Sequence, residues 1–308
     1  MHRVFIDGAA GTTGLEIRAR LEGRGEFELI LLDEARRKDE AARRAALHAA
    51  DIAILCLPDE AAKEAVRLAQ GAATRIIDAS SAHRVAPGWV YGFAELVGRE
   101  AIANARFVSN PGCYPTGFLA AVAPLVRAGL IPADWPFTVH AVSGYSGGGT
   151  ALIARFEAEP DIAFRAYGLG LAHKHLPEMQ AHAGLAHPPV FSPAVIPAHR
   201  GMVVEVPLAL AAMPGRPDPS ALHAALRAAY AQSPVVRLAP LGPAPAELLL
   251  NRSAAPWDGL DLHVFASPDG TQARLVAVLD NLGKGASGAA IQNLNLMCGL
   301  PETAGLVL

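Results

Sequence analysis

The sequence has 308 residues, 52% hydrophobic and 18% charged, with a formal net charge of −3 from 26 Lys and Arg against 29 Asp and Glu. That length and apolar share provide for one large or two modest domains with a substantial core. The near balance of charge argues against nucleic acid or an anionic membrane surface as the main partner and leaves room for an anionic small molecule held by local Arg residues.

In chain order, HRVFID reads as a buried strand that ends at Gly8, and TTGLEIRARLEG as a helix. FELILLD and DIAILCLP are further strands, and Pro58, Asp59 and Glu60 open a helix through Ala69, with acids in its first turn. TRIIDAS and ARFVSN complete five strands. Strands alternating with helices predict a doubly wound parallel sheet of Rossmann type. Beyond FLAAVAPLVRAGL, a helical pattern, the chain changes character. FTVHAVSG, PPVFSPAVI, GMVVEVPLAL, LDLHVFAS and ARLVAVLDNL are longer strands, with SALHAALRAAYAQ as a helix beside them. They predict an α+β domain with a largely antiparallel sheet. KGASGAAIQNLNLM reads as a final helix returning to the first domain. The expected division is 1–112 with 283–308, and 113–282.

Three cysteines, Cys56, Cys113 and Cys298, have neither the number of a disulfide framework nor the spacing of a zinc site. The N-terminus, MHRVFIDGAAG, lacks signal-peptide features, and no apolar run is long enough to span a bilayer, so a reducing cytoplasm is the expected setting.

Gly8, Gly11 and Gly14, with Thr12 and Thr13 between the last two, join the first strand to the first helix. Glycine there permits a tight turn and close approach of a pyrophosphate to the helix N-terminus; the plain alternative is a packing turn. The second strand ends at Asp33, followed by Glu34, Arg36, Arg37 and Lys38. A carboxylate at that place suits a ribose hydroxyl, whereas the basic run suits a 2′-phosphate and tilts the reading to NADP.

Cys113, in SNPGCYPTG, falls where a strand gives way to a helix, with Pro115 suited to the first turn. The helix N-terminus favours a thiolate and offers N–H groups to an oxyanion. Cys56, within an apolar strand, and Cys298, within the last helix, read as structural. The glycine-rich loop SGYSGGG brings backbone close to a ligand or is simply a flexible turn. His173 and His175, at i and i+2, cannot share a helix face and have no evident third ligand, so no metal is expected and either could be the acid/base partner of the cysteine. Arg84 and Arg200 could each clamp a carboxylate or phosphate, or be ordinary surface arginines.

GAAGTTG, DASSAHR, SNPGCYPTG, SGYSGGG, YGLGLAHKHLPEM, HRGM and DNLGKGASGAAIQNLN, in order and across nearly the whole chain, resemble the N-acetyl-gamma-glutamyl-phosphate reductase family in its shorter form, within the aspartate-semialdehyde dehydrogenase superfamily. The resemblance implies an NADPH-dependent, phosphorylating aldehyde dehydrogenase of arginine biosynthesis, working through a cysteine thioester and assembling as a homodimer or homotetramer. It implies Cys113 as nucleophile and His173 as acid/base, with Arg84, Tyr145, Tyr167, His175 and Arg200 in the substrate pocket. It implies cofactor contacts from Gly8, Gly11, Thr12, Thr13, Gly14, Arg36, Arg37, Ser80, Gly147, Asn281 and Gly285. The substrate one methylene longer, N-acetyl-aminoadipyl phosphate, is separated by only about 1–3 kcal/mol of binding. A nucleotide-binding redox regulator would leave HKH idle, and a cysteine hydrolase would leave GAAGTTG idle.

Overall fold

The computed structural model describes all 308 residues. It comprises two compact units, Met1–Gly112 with Ala286–Leu306, and Cys113–Gly285 with Val307–Leu308. The first unit contains β1 (His2–Asp7), α1 (Thr12–Leu21), β2 (Phe27–Ile30), α2 (Glu40–Ala49), β3 (Ile52–Leu55) and α3 (Asp59–Leu68). It continues with β4 (Arg75–Asp78), β5 (Val90–Tyr91), α4 (Ala94–Val97), α5 (Arg99–Asn104) and β6 (Phe107–Ser109). The second unit holds α6 (Cys113–Arg127), β7 (Thr138–Gly144), α7 (Gly149–Ala158), β8 (Arg165–Ala166), α8 (Leu176–Ala183) and β9 (Val190–Ile196). It is completed by β10 (Met202–Leu208), α9 (Pro219–Tyr230), β11 (Val236–Leu238), β12 (Leu260–Ala266) and β13 (Ala273–Leu279). A π-helical turn, Gly283–Ser287, then leads into α10 (Gly288–Met297), which belongs to the first unit.

The first unit's sheet runs β2-β1-β3-β4-β6-β5 and is parallel throughout. Successive side chains of a strand point to opposite faces. Val4 and Ile6 of β1 accordingly join Ile17 and Leu21 of α1 and Ile291 and Leu294 of α10 in one core, while Phe5 joins Leu47 of α2 and Leu68 of α3 in another. Helices on both sides explain why β3 is buried at every position and reads as an uninterrupted apolar run. The strand order reverses direction at β1, and ligands of such sheets bind beyond the strand ends at that reversal.

Two local differences from the sequence reading have physical causes. Strand β2 stops at Ile30, because the Asp33 carboxylate closes a turn by accepting from Arg36 N at 2.9 Å. Helix α2 is an additional element, capped by Asp39, whose carboxylate accepts from Ala42 N at 2.7 Å.

The second unit's sheet runs β11-β12-β13-β10-β7-β9-β8. It is mixed: β12/β13, β13/β10, β10/β7 and β9/β8 are antiparallel, whereas β7/β9 and β11/β12 are parallel. α6 packs so tightly on this sheet that a Cβ at Gly117 would lie 2.7 Å from Val204 Cγ2. Along β10, Met202, Val204, Val206 and Leu208 are buried, and Val203, Glu205 and Pro207 on the alternate face are more accessible. No helix is long and apolar enough to cross a membrane.

Candidate active site and nucleotide turn

In the second unit Cys113 is the first residue of α6, so its sulfur is carried by the positive end of a 15-residue helix. Tyr114, next in sequence, is buried and donates its hydroxyl hydrogen to Ala194 O at 2.9 Å, tying the helix start to β9. Around its ring lie His173, edge-on at 6.1 Å between centroids, and His175, tilted at 6.0 Å. Phe191 closes the cluster at 5.1 Å from both Tyr114 and His173. Tyr167 hydroxyl lies 3.3 Å from His173 Nε2. On the other side of the imidazole, His175 N donates to His173 Nδ1 at 3.2 Å.

Burial, seconded by the Lys174 charge, pushes His173 down to about 4, so its ring is neutral at physiological pH. Burial likewise pushes the Tyr114 phenol up, and Tyr167 to about 12. A negative charge on Cys113 opposes ionisation of both tyrosines. The cysteine, the two tyrosines and the imidazole therefore share one electrostatic neighbourhood.

A second cluster in this unit centres on the loop after β13. Arg200, almost fully buried, donates through Nη1 to Asp280 Oδ2 at 2.9 Å, an oxygen that also receives Trp257 N at 3.3 Å. Asp280 Oδ1 accepts from Leu282 N at 2.9 Å. Asn281 accepts from Gly201 N and donates to Ser146 Oγ, each at 2.9 Å, joining the HRGM turn to the glycine-rich loop. Tyr145 stacks on Phe156 at 5.2 Å and meets His199 edge-on at 5.6 Å. A Cβ on Gly285 would lie 2.9 Å from Cys113 Cβ, so the π-turn backbone is pressed against the cysteine. Gly147 is different: its nearest would-be contacts are at an ordinary 3.4 Å, so the fold leaves room for a side chain there.

The first unit carries the glycine turn. Gly8 has φ +88°, and a Cβ on it would sit 2.3 Å from Cys56 O. At Gly14 a Cβ would sit 2.4 Å from Gly8 O. The chain's own packing demands glycine at both positions. Gly11 meets no such demand, since its nearest would-be contact is Gly8 O at 3.5 Å. Its bareness instead leaves space in front of α1. That helix has no side-chain cap and no acid in its first turn, and the buried Thr12 Oγ1 has no hydrogen-bond partner. An uncapped helix start, an orphaned hydroxyl and an unneeded glycine fit a pyrophosphate.

Arg36 pairs with Asp33 at 3.1 Å and Arg37 pairs with Glu34, all at the surface. Exposed pairs of this kind hold only about 0–1 kcal/mol, so either arginine can exchange its carboxylate for a phosphate. Ser80 donates its hydroxyl hydrogen to Asp78 Oδ2 at 2.7 Å, and His83 Nδ1 lies 2.6 Å from the same oxygen. Arg84 is buried, not a surface arginine: Nε donates to Asn110 O at 3.0 Å and Nη2 to Ala79 O at 3.1 Å, linking the DASSAHR and SNPG loops.

Thus the structure gathers Cys113, Tyr167, His173 and His175 in one cluster of the second unit and Tyr145, Gly147, Arg200 and Asn281 around another. Gly8, Gly11, Thr12, Thr13, Gly14, Arg36, Arg37, Ser80 and Arg84 belong to the first unit. Asp280 and Tyr114 are functional-site neighbours the sequence reading passed over; an acid directly after a strand, and an aromatic directly after the candidate nucleophile, were the available signals. Cys56 falls one residue beyond β3 and Cys298 one beyond α10, and burial pushes their thiols up to about 12 and about 11.

Residues 3–105 match the family model for the semialdehyde dehydrogenase NAD binding domain, and residues 113–281 that for the semialdehyde dehydrogenase dimerisation domain. The fold resembles aspartate semialdehyde dehydrogenase II from Vibrio cholerae, with a TM-score of 0.71 and 19% identity over 97% of this chain and 99% of that one. The enzyme from Francisella tularensis gives 0.69 at 13% identity, over 97% and 100%. The chain belongs to the semialdehyde dehydrogenase family. In sequence it is 53% identical to proteins of Brucella ovis and Brucella abortus named N-acetyl-gamma-glutamyl-phosphate reductase, over 96% of this chain and 99% of theirs. Within the family it stands with the N-acetyl-gamma-glutamyl-phosphate reductases.

Proposed function

We propose that the chain reduces N-acetyl-L-glutamyl 5-phosphate to N-acetyl-L-glutamate 5-semialdehyde, releasing phosphate, as a step of arginine synthesis. The observation that supports this reading is the sulfur of Cys113 at the head of α6, in the cluster that holds the half-buried Tyr167–His173 pair. The Cys113 thiolate attacks the acyl carbon; the carbon–oxygen bond to phosphate breaks, and a thioester remains. NADPH, when bound, supplies the hydride. Collapse of the resulting thiohemiacetal breaks the carbon–sulfur bond, frees the aldehyde and restores the thiolate. His173 governs the proton at the carbonyl oxygen, with His175 nearby. Arg200, aligned by Asp280, and Arg84 are the cations for the substrate's carboxylate and phosphate.

Gly8, Gly11, Thr12, Thr13 and Gly14 hold the pyrophosphate, with Ser80, Gly147, Asn281 and Gly285 as further cofactor contacts. Arg36 and Arg37, each already balanced by one acid, turn to the 2′-phosphate and give NADP its advantage over NAD. The enzyme acts in the cytoplasm as a homodimer or homotetramer; a family model described as a dimerisation domain, and the more accessible face of β10, support the assembly.

The test runs the reaction backwards, with N-acetylglutamate semialdehyde, phosphate and either nicotinamide cofactor. Phosphate-dependent reduction, faster with NADP, is expected. Turnover indifferent to phosphate, or none, overturns the reading, and a higher kcat/KM with the one-carbon-longer semialdehyde reassigns the substrate.

A further inference from the structure

We propose that Arg165 binds the substrate's α-carboxylate, as a third substrate cation in addition to Arg84 and Arg200, and so selects an N-acylated amino acid over a plain aldehyde. The inference rests on the reductase reading above and deepens it by naming the side chain that recognises the part of the substrate remote from the chemistry.

Local structure puts this cation in the site. Arg165 and Ala166 form β8 and pair with Val195 and Ala194 of β9, and Tyr167 N continues the pairing by donating to Pro193 O at 3.3 Å. Residues two apart on extended backbone share a face. The Arg165 and Tyr167 side chains accordingly lie together, with the guanidinium carbon 4.6 Å from the centre of the ring. That ring is a fixed platform. Its hydroxyl hydrogen is taken up by Tyr114, which in turn donates to Ala194 O at 2.9 Å. His173 meets the ring at its edge, 5.5 Å between centroids, whereas the guanidinium stands over its face. The charges of Cys113 and Arg165 both bear on this phenol, in opposite senses.

Arg165 also differs from other arginines of its unit in what it touches. Arg155, Arg200, Arg237 and Arg274 pair with Glu159, Asp280, Asp261 and Glu205. Half-buried Arg165 instead has a ring face, which steadies a guanidinium without neutralising it. Its fork of N–H groups matches a carboxylate. The proposed substrate brings a carboxylate as well as a doubly charged phosphate, and the charge of Arg200 is already balanced by Asp280. The carboxylate lies at the far end of the carbon chain from the carbonyl that Cys113 attacks. It is therefore displaced from the reacting atoms, as Arg165 is displaced from the imidazole by the phenol ring. No bond to the carboxylate changes in the reaction, so Arg165 holds ground state and transition state alike and its contribution falls on KM.

The test uses the full-length enzyme in the aldehyde-oxidising direction, where aldehyde and phosphate have separate KM values. N-acetylglutamate semialdehyde is compared with 4-acetamidobutanal, the same molecule without its carboxylate, in the parent, Arg165→Met and Arg165→Lys. A hydrogen-bonded charge contact is worth about 10–100-fold. The parent should prefer the carboxylated aldehyde by that factor in kcat/KM. Arg165→Met should lose the preference through a raised KM for the semialdehyde, with kcat and the KM for phosphate unchanged, and Arg165→Lys should recover part of it. An unchanged melting temperature checks the fold; should Arg165→Met melt below the parent, the lysine variant carries the comparison with the stem retained. A loss that falls equally on both aldehydes marks a structural role, and one that appears in the KM for phosphate moves Arg165 to that group. Either result overturns the proposal, as does a methionine variant that keeps the parent's preference. If the parent itself reduces no NADP with N-acetylglutamate semialdehyde and phosphate, the reductase reading falls first.

Discussion

Cys113→Ser is expected to abolish reductase turnover while NADPH binding, followed by cofactor fluorescence, stays at the parent level. The substitution changes one atom at the first residue of α6 and leaves the glycine turn of the first unit untouched. A serine hydroxyl in the same place remains protonated at neutral pH, so the helix terminus has no anion to favour, and covalent catalysis is lost with the nucleophile. Gly11→Ala should behave in the opposite way. Its Cβ meets nothing in the fold closer than 3.5 Å, so stability is retained; the methyl group stands where a pyrophosphate is drawn in, so cofactor affinity falls while Cys113 still reacts with iodoacetamide. Turnover by Cys113→Ser above about one hundredth of the parent, or unchanged NADPH affinity in Gly11→Ala, would each remove a support of the proposed chemistry.

The second large effect concerns stability. Asp280 and Arg200 have side chains only 4% and 11% accessible, and the carboxylate also receives two backbone N–H groups. Removing one partner of a buried pair leaves the other charge uncompensated, at about 3–5 kcal/mol. Asp280→Ala should therefore lower the melting temperature by roughly 10 °C for a chain of this size. Adding Arg200→Met should recover part of the loss, because the stranded guanidinium is gone. Calorimetry of the two variants decides it. A single variant as stable as the parent, or a double variant no better than the single, contradicts the account.

Much of the fold was legible because its signals are local. Strand β1 passes into a glycine turn and then α1, and β3 is apolar at every position since helices cover both faces of its sheet. Strand ends were less so: β2 reads apolar through Leu32 yet stops at Ile30, where a carboxylate-closed turn takes over. Helix α2 escaped notice because Leu47 is the one large apolar residue in its Ala- and Arg-rich run, so its buried face is written mostly in small residues, and its other signal is the cap at Asp39. In the site, Cys113 stood out by its place between strand and helix. What sequence spacing cannot express is pairing across the chain. The Arg200–Asp280 bridge joins residues 80 apart, and the choice of His173 Nδ1 as acceptor depends on the backbone of His175. Arg84 reads as either a surface cation or an anion clamp, and only the fold reveals two carbonyl oxygens on its guanidinium.

Burial that lifts Cys56 to about 12 and Cys298 to about 11 has a practical corollary. At pH 8 no more than on the order of one in a thousand of either sulfur is ionised. An alkylating titrant added under those conditions reacts slowly with these two thiols. On the proposed chemistry the label goes to residue 113, and one equivalent per chain then counts the sulfur that the proposal makes the nucleophile.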